Sequence, residues 1–519
     1  MALEMTLGRD EYVDWRGKRA QTTKHGGIRG ASFACVVEVL ENMVFIANAT
    51  NFVMYFKSSM HYSIAESSNM VTNFMGTSFL LTLLGGFISD SFFTRFTTFI
   101  LFCTIELLGL IMLTVQAQYK QFQPAIGRRP SNSQAAVLYT GLYAMAAGVG
   151  GVKASLPAHG ADQLDHTNQR LMTGFFNWFF FSLCTGGLIA ATIMVWVEEN
   201  KGWKWSFVIS VVALSFALCI FAIGFPFYRY KHPSGSPLTR MLKVFVSTAQ
   251  HWKISPAETM HPNGVHRRSH DKFLDRAMID DRVSSADVEE SKTFLGLLPI
   301  FATTIMMNCC LAQLQTFSVQ QGNTMNRKLY HNFEIPTPSL SVLPLVIMLL
   351  SIPLYESFTA IFVKKHSRES HMFRPLKRIG LGLVLASASM AVAAAVEAKR
   401  RREATANAVT LSVFWLGWQY VLLGVSDMLT LGGMLEFFYS EAPDSMRSIC
   451  TALSWCSTSM GYFLSSVLVS VTNSVSKKFG GEWLGGDGLN QNRLDLFYTL
   501  LCVLNVLNFL NYLYWAKRF

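Results

Sequence analysis

Apolar residues along this 519-residue chain come in long, nearly unbroken runs. They lie near 29–56, 67–92, 96–117, 135–156, 172–197 and 205–228, and again near 293–320, 338–363, 376–397, 408–439, 447–473 and 494–516. A bilayer core takes about 20 apolar residues per helix. Inside it every backbone amide needs an internal partner, so runs of this length predict helices. A polar stretch over roughly 230–292 separates the two sets. The predicted fold is an all-α membrane protein of about twelve transmembrane helices in two six-helix halves. Its parts are an N-terminal segment (1–28), a first bundle (29–229), a linker (230–292) and a second bundle (293–519). Two repeated halves with a loop between them are the layout of a secondary transporter.

Composition agrees. Only 15% of residues are charged, against about 25% in soluble domains. The net charge of +11 is then read by position, because cytosolic loops concentrate Lys and Arg. Arg16, Lys18, Arg19 and Lys24 precede the first span; Lys231, Arg240 and Lys243 lie in the linker; Lys377 and Arg378 follow span eight. These place both termini and the linker in the cytosol, with the plasma membrane as the expected location. Lys399, Arg400, Arg401 and Arg402 disagree, falling outside in this topology. Within the linker, Leu238, Met241, Leu242 and Phe245 recur at helical spacing and predict an amphipathic helix on the interface, either a bracket between the halves or a tethered spacer. The nine cysteines lie in apolar runs without metal-ligand spacing, as packing residues would. No soluble basic domain for nucleic acid, no catalytic constellation and no metal or cofactor motif is present; the partners expected are a lipid bilayer, protons and a small organic anion.

Ionisable residues inside spans are costly and therefore informative. In span one, Glu38, Glu41, Asn42 and Phe45 share one helical face, with Glu38 near mid-membrane. Such a carboxylate pair is a proton site, a counter-ion to a buried cation, or a hydrogen-bonded brace. Lys153 in span four is expected about one turn from the cytosolic end, where it either snorkels to the interface or faces the other half. Glu436 in span ten lies at similar depth with opposite sign, so the two predict an inner gate that pairs when closed. Glu106 and Glu356 are assigned to helix bracing. Between spans two and three, Gly86, Asp90 and Arg95 form a G-xxx-D-xxxx-R arrangement that recurs in major facilitator transporters, with Asp90 accepting from Arg95 across a short turn. Thr98 after Arg95 is a candidate kinase target there.

Several segments together resemble the plant nitrate/peptide transporter family, the proton-dependent oligopeptide branch of the major facilitator superfamily. They are 175–179 (FFNWF), 315–322 (QTFSVQQG), 352–356 (IPLYE), 435–443 and 487–498. The segment 154–163 (ASLPAHGADQ) is most similar to a subfamily with abscisic acid and gibberellin carriers. The resemblance implies the major facilitator fold, a coupling and gating role for Lys153 and Glu436, and that Glu38 and Glu41 are the glutamates of an E-x-x-E-[R/K] motif. The departures matter as much. Asn42 stands where the motif has a base, and two adjacent carboxylates without it do not both ionise readily. Phe45 and Ile46 replace the tyrosines of peptide carriers, and Leu311 stands where a nitrate carrier has a histidine. With Phe317, Gln313 and Gln315, and Trp455 as a wall, these suit a mostly apolar molecule with one anionic end. A proton-coupled carrier of a weakly acidic hormone, of the abscisic acid or gibberellin type, is the expectation. Low-affinity nitrate transport and a non-transporting sensor are the alternatives.

Overall fold

A computed structural model describes residues 12–518, apart from 22–23, 63, 126–127, 234, 252–272, 280–282, 331–332, 335–339, 341, 366–374, 408, 480, 482 and 485–488. The first half consists of α1 (Gly27–Ser58), α2 (Ile64–Ser91), α3 (Arg95–Gln118), α4 (Asn132–Asp162), α5 (Gln169–Ile189, carried on through a π turn to Lys201) and α6 (Trp203–Ile223). A linker helix, α7 (Pro237–Gln250), follows. The second half is α8 (Ser285–Gln315), α9 (Val342–Lys365), α10 (Pro375–Arg402), α11 (Leu416–Ser440), α12 (Arg447–Lys477) and α13 (Leu494–Arg518). Each matches a predicted apolar run. Ten of these helices are long and apolar enough to cross a bilayer. Short polar caps set their starts: Thr94 accepts from the Thr97 amide, and Ser131 and Gln134 form a capping box. A two-stranded ribbon, β1 (Tyr12–Val13) with β2 (Tyr230–Lys231), ties the start of the chain to the linker.

The even number of spans puts both chain ends on one face, here called the terminal face. Within the halves the tightest packing is α3 on α4 and its counterpart α10 on α11. Between halves there are two seams, α2 against α12 and α5 against α9. Counterparts differ by seven in helix number, so the second seam is the first one repeated with the halves exchanged. Buried side chains from both halves form one continuous core.

Three expectations change. The basic run at 399–402 is not a loop: it is the last turn of α10. Arg400 is buried and bidentate to Glu397 (2.7 Å), Lys399 lies 3.8 Å over the Trp415 ring, and Arg401 faces Asp495 at 3.5 Å. The run is thus part of a packed helix end and not a free loop. Thr98 is fully buried, its hydroxyl spent on the Thr94 carbonyl (3.1 Å), so a kinase cannot reach it. The linker helix does form, but Leu238 and Leu242 are exposed while Met241, Val244 and Phe245 turn inward. It packs against α2 and α8, one from each half, and Arg240 reaches Asp287 and Glu290 of α8 at 3.5 and 3.4 Å. That geometry is a bracket rather than a spacer.

The α2–α12 seam rests on glycine. A Cβ on Gly86 would meet the Ile449 backbone at 2.9 Å. Gly86→Ala is therefore expected to lose about 1–3 kcal/mol by overpacking, read as a lower melting temperature of the detergent-solubilised chain, whereas Gly174→Ala inside α5, whose added methyl meets nothing within 4 Å, should melt at or slightly above the parent temperature, as alanine is the better helix former.

Candidate functional site

The charged face of α1 and the lysine of α4 meet in the interior of the first half. α4 runs to Asp162, further than its apolar run, so Lys153 sits nine residues from the helix end rather than one turn. It is 1% exposed and does not snorkel. Its ammonium donates to Glu41 Oε2 at 2.9 Å and to Asn42 Oδ1 at 3.2 Å, and lies 3.6 Å from Glu38 Oε1. Asn42 is itself oriented, its amide donating to the Leu183 carbonyl of α5 at 2.8 Å. Aromatic faces complete the enclosure: Phe45 and Trp455 have ring centroids 5.3 and 5.0 Å from Nζ. Phe79 stacks on Trp455 with rings 3° from parallel. Cation–π contact of this kind gains strength when water is excluded. Trp455 comes from the second half, so this one site already spans both.

The predicted Lys153–Glu436 pair is absent. Each has a nearer partner, because α4 and α11 carry these charges into different parts of the interior. Glu436 receives Arg378 Nη1 at 2.8 Å and the Thr173 hydroxyl. The other arm of Arg378 donates to Asn177 Oδ1 at 2.7 Å, and Asn177 in turn donates to Glu356. Thr173 and Asn177 belong to α5 of the first half, so this network ties the halves across the second seam. Arg378 was counted above with the loop charges, yet it is 2% exposed within α10. Its position inside a predicted apolar run was the signal to notice.

Across the first seam the same construction recurs. Arg95 pairs with Asp162 of α4 and donates through Nε to Ser448 of α12 at 2.9 Å. Asp90 accepts from the Ile449 and Ser448 amides at 2.9 and 3.2 Å. Its contact with Arg95, expected as the main one, is the longer at 3.5 Å. Asp90 thus occupies the N-terminus of α12, where free amides and the helix dipole favour an anion. Tyr439 of α11 donates to Asp162. Each arginine opens the helix following α2 or α9, pairs with an acid near the end of the next helix, and reaches a polar partner in the other half.

Below Asp162, His166 Nε2 meets Tyr12 OH at 2.7 Å and Arg447 Nη1 at 3.2 Å. Guanidinium only donates, so Nε2 must accept and the imidazole is neutral. Burial, then Arg447, hold its pKa down to about 4, against the opposing pull of Asp162.

The remaining predicted positions are not gathered here. Phe317 follows a break at Thr316 and sets its ring on Phe497 of α13. Gln313 is committed to Ser465 of α12 at 2.9 Å. Ile46 and Leu311 are half-buried against the core, and the Gln315 side chain lies outside the described residues. Glu106, assigned above to bracing, has neither carboxylate oxygen bonded to anything. Among the described residues no cluster could hold a metal ion.

The sequence profile of the PTR2, or POT, family matches residues 96–484. The chain is 58% identical over 518 residues to Protein NRT1/PTR FAMILY 4.2 of Arabidopsis thaliana, covering 98% of this chain and 99% of that one. It is 56% identical over 526 residues to Protein NRT1/PTR FAMILY 4.1 of the same plant, covering 100% of both. Among solved structures, the POT family transporter PepTSo superposes with a TM-score of 0.65 at 20% identity, over 94% of this chain and 98% of that one.

Two outcomes follow from the charge geometry. Lys153→Ala removes the one cation beside Glu41 and should cost about 3–5 kcal/mol, since a buried charge is left unpaired; adding Glu41→Gln should restore part of the lost melting temperature. For His166 the folded state holds the pKa down at about 4, below the ordinary value near 6.5. Its contribution is thus complete above the ordinary value and is lost as pH falls from there towards 4. His166→Gln, which accepts but cannot charge, should show a smaller drop in melting temperature than the parent across that interval.

Proposed function

The chain belongs to the POT family, a family of multi-pass membrane transporters and not of enzymes, and we propose that within it this protein moves a small, weakly acidic, largely apolar molecule of the abscisic acid or gibberellin type together with protons. The observation that carries this reading is the setting of Lys153. A single buried ammonium lies between two aromatic faces, Phe45 and Trp455, with Glu41, Glu38 and Asn42 on its remaining side. An anion with a terpenoid body satisfies both the ammonium and the aromatic faces.

Coupling follows from charge balance. Lys153 is held by Glu41. A substrate carboxylate can take its place only if Glu41 receives a proton, because two anions on one buried cation leave an unpaired charge. One anion therefore enters with at least one proton, and the net charge of the site stays the same. Asn42 fits this scheme. A neutral amide orients Lys153 without competing for the carboxylates, as a base at that position would.

Alternating access is assigned to the two seams. The face carrying the termini is taken as cytosolic from its Lys and Arg, in the plasma membrane. The Arg95–Asp162 and Arg378–Glu436 networks form the inner gate on that face, replacing the Lys153–Glu436 pair. Phe45, Asn42 and Trp455 line the substrate site.

The test is uptake of labelled abscisic acid, gibberellin and nitrate into oocytes at acidic and neutral external pH, each against water-injected cells. Saturable hormone uptake is expected, greater at acidic pH, abolished by a protonophore and lost in Lys153→Ala at equal surface level. Saturable nitrate flux without hormone flux would replace this reading with nitrate transport. Absence of any flux with the protein at the surface would point to a sensor.

A further inference from the structure

Glu106 lies on α3 with its side chain fully buried and both carboxylate oxygens without a partner. It is pressed against α4 by a row of glycines. A Cβ on Gly148 would come within 2.4 Å of the Glu106 Cβ, one on Gly151 would enter the Phe102 ring, and Gly109 of α3 backs onto the Met145 amide and Gly141 carbonyl. α4 is the helix that carries Lys153, five residues beyond Gly148 and so about 7.5 Å further along the axis. The charges that act on Glu106 are Glu41, Lys153 and Glu38. Its own helix adds only the Cys103 thiol. No hydrogen bond holds it, so bracing does not account for its presence; a leucine would pack as well and cost nothing to bury.

Two carboxylates thus contact one ammonium, at 2.9 and 3.6 Å, and a third is buried beside them without a partner of its own. Were all ionised the cluster would carry two uncompensated negative charges, each costing several kcal/mol to bury. We propose that Glu106 is a third proton-carrying carboxylate of this site, alternating with Glu41 as the partner of Lys153. The proposal rests on the proton-coupled reading above and extends it to a residue outside the first-span motif. While Lys153 is on Glu41, Glu106 holds a proton. When that proton passes to Glu41, Lys153 remains an ammonium and transfers its contact to the Glu106 carboxylate. One O–H bond breaks, one forms, and the charge of the cluster is unchanged. Glu106 supplies the second acid of the relay that the missing base at Asn42 leaves open.

The experiment is infrared difference spectroscopy of the full-length chain reconstituted in lipid, titrated through neutral pH. The parent should show the carbonyl stretch of a protonated carboxyl that disappears as pH rises. Glu106→Gln should lose that component, Glu106→Asp should shift it, and Glu38→Gln should retain it. The same variants are then assayed for acid-driven uptake: Glu106→Gln should accumulate at least tenfold less labelled hormone, with Glu106→Asp recovering part. A Glu106→Gln spectrum superimposable on that of the parent would overturn the proposal. If Glu106→Gln does not fold, the Glu106→Asp shift decides in its place, and an unshifted band overturns the proposal. Should the parent transport none of the tested hormones, the substrate reading fails while the spectra still decide the role of Glu106.

Discussion

A charge inside a bilayer must find a partner, and this constraint organises the molecule. The unpaired cost is several kcal/mol per ion, comparable to the whole net stability of many domains. Buried arginines accordingly appear as pairs or networks: Arg95 with Asp162, Arg378 with Glu436, Arg400 with Glu397. The first two join neighbouring helices, α3 to α4 and α10 to α11, while Arg400 and Glu397 pair within α10. Apolar contacts hold the helices together; close glycine contacts set which faces meet, and the ion pairs lock that choice.

Two of these pairs have a second task because they also touch the other half. Arg95 adds Ser448 and Arg378 adds Asn177. In each case the acid remains in the half of its arginine, and the contact across the seam is a hydrogen bond between one charged group and one neutral group. That division of labour suits a gate. Parting the halves breaks charge-assisted hydrogen bonds that water can replace at about 1.5–3 kcal/mol each, while the Arg95–Asp162 and Arg378–Glu436 ion pairs stay whole. A direct Lys153–Glu436 bridge would have demanded such a separation in every cycle.

The spans were readable because bilayer thickness sets their length and the chain must meet it with apolar residues; every run has its helix, with ends that differ by up to eight residues. The charges on the first-span face were readable for a similar reason, since an ionisable residue stands out in an apolar run. Partners were not readable. Depth and sign suggested Lys153 with Glu436, but pairing depends on which way each helix is rotated, and rotation is fixed by glycine contacts such as Gly86 on Ile449 and Gly148 on Glu106. These involve residues hundreds of positions apart, or backbones whose approach no side-chain pattern announces. Span ends were the other blind spot. Extending α4 by six residues moved Lys153 from the interface to the interior, and extending α10 by five turned a topological anomaly into paired helix-end charges.

The position of Asn42 brings these strands together. With a base there, the two glutamates of α1 would have a cation on their own helix, and Lys153 would be a second. With asparagine, Lys153 alone serves Glu38, Glu41 and the reach of Glu106, and the amide that replaces the base orients it from 3.2 Å. A single cation among several acids cannot satisfy all of them at once. In the proposed scheme it leaves one partner to serve another, and each change of partner is accompanied by a proton. Removing the motif's base therefore does not by itself uncouple the site. In the proposed scheme it concentrates the coupling on one lysine, whose ammonium also faces Trp455 of the second half, and so would link the proton count to the approach of the two bundles.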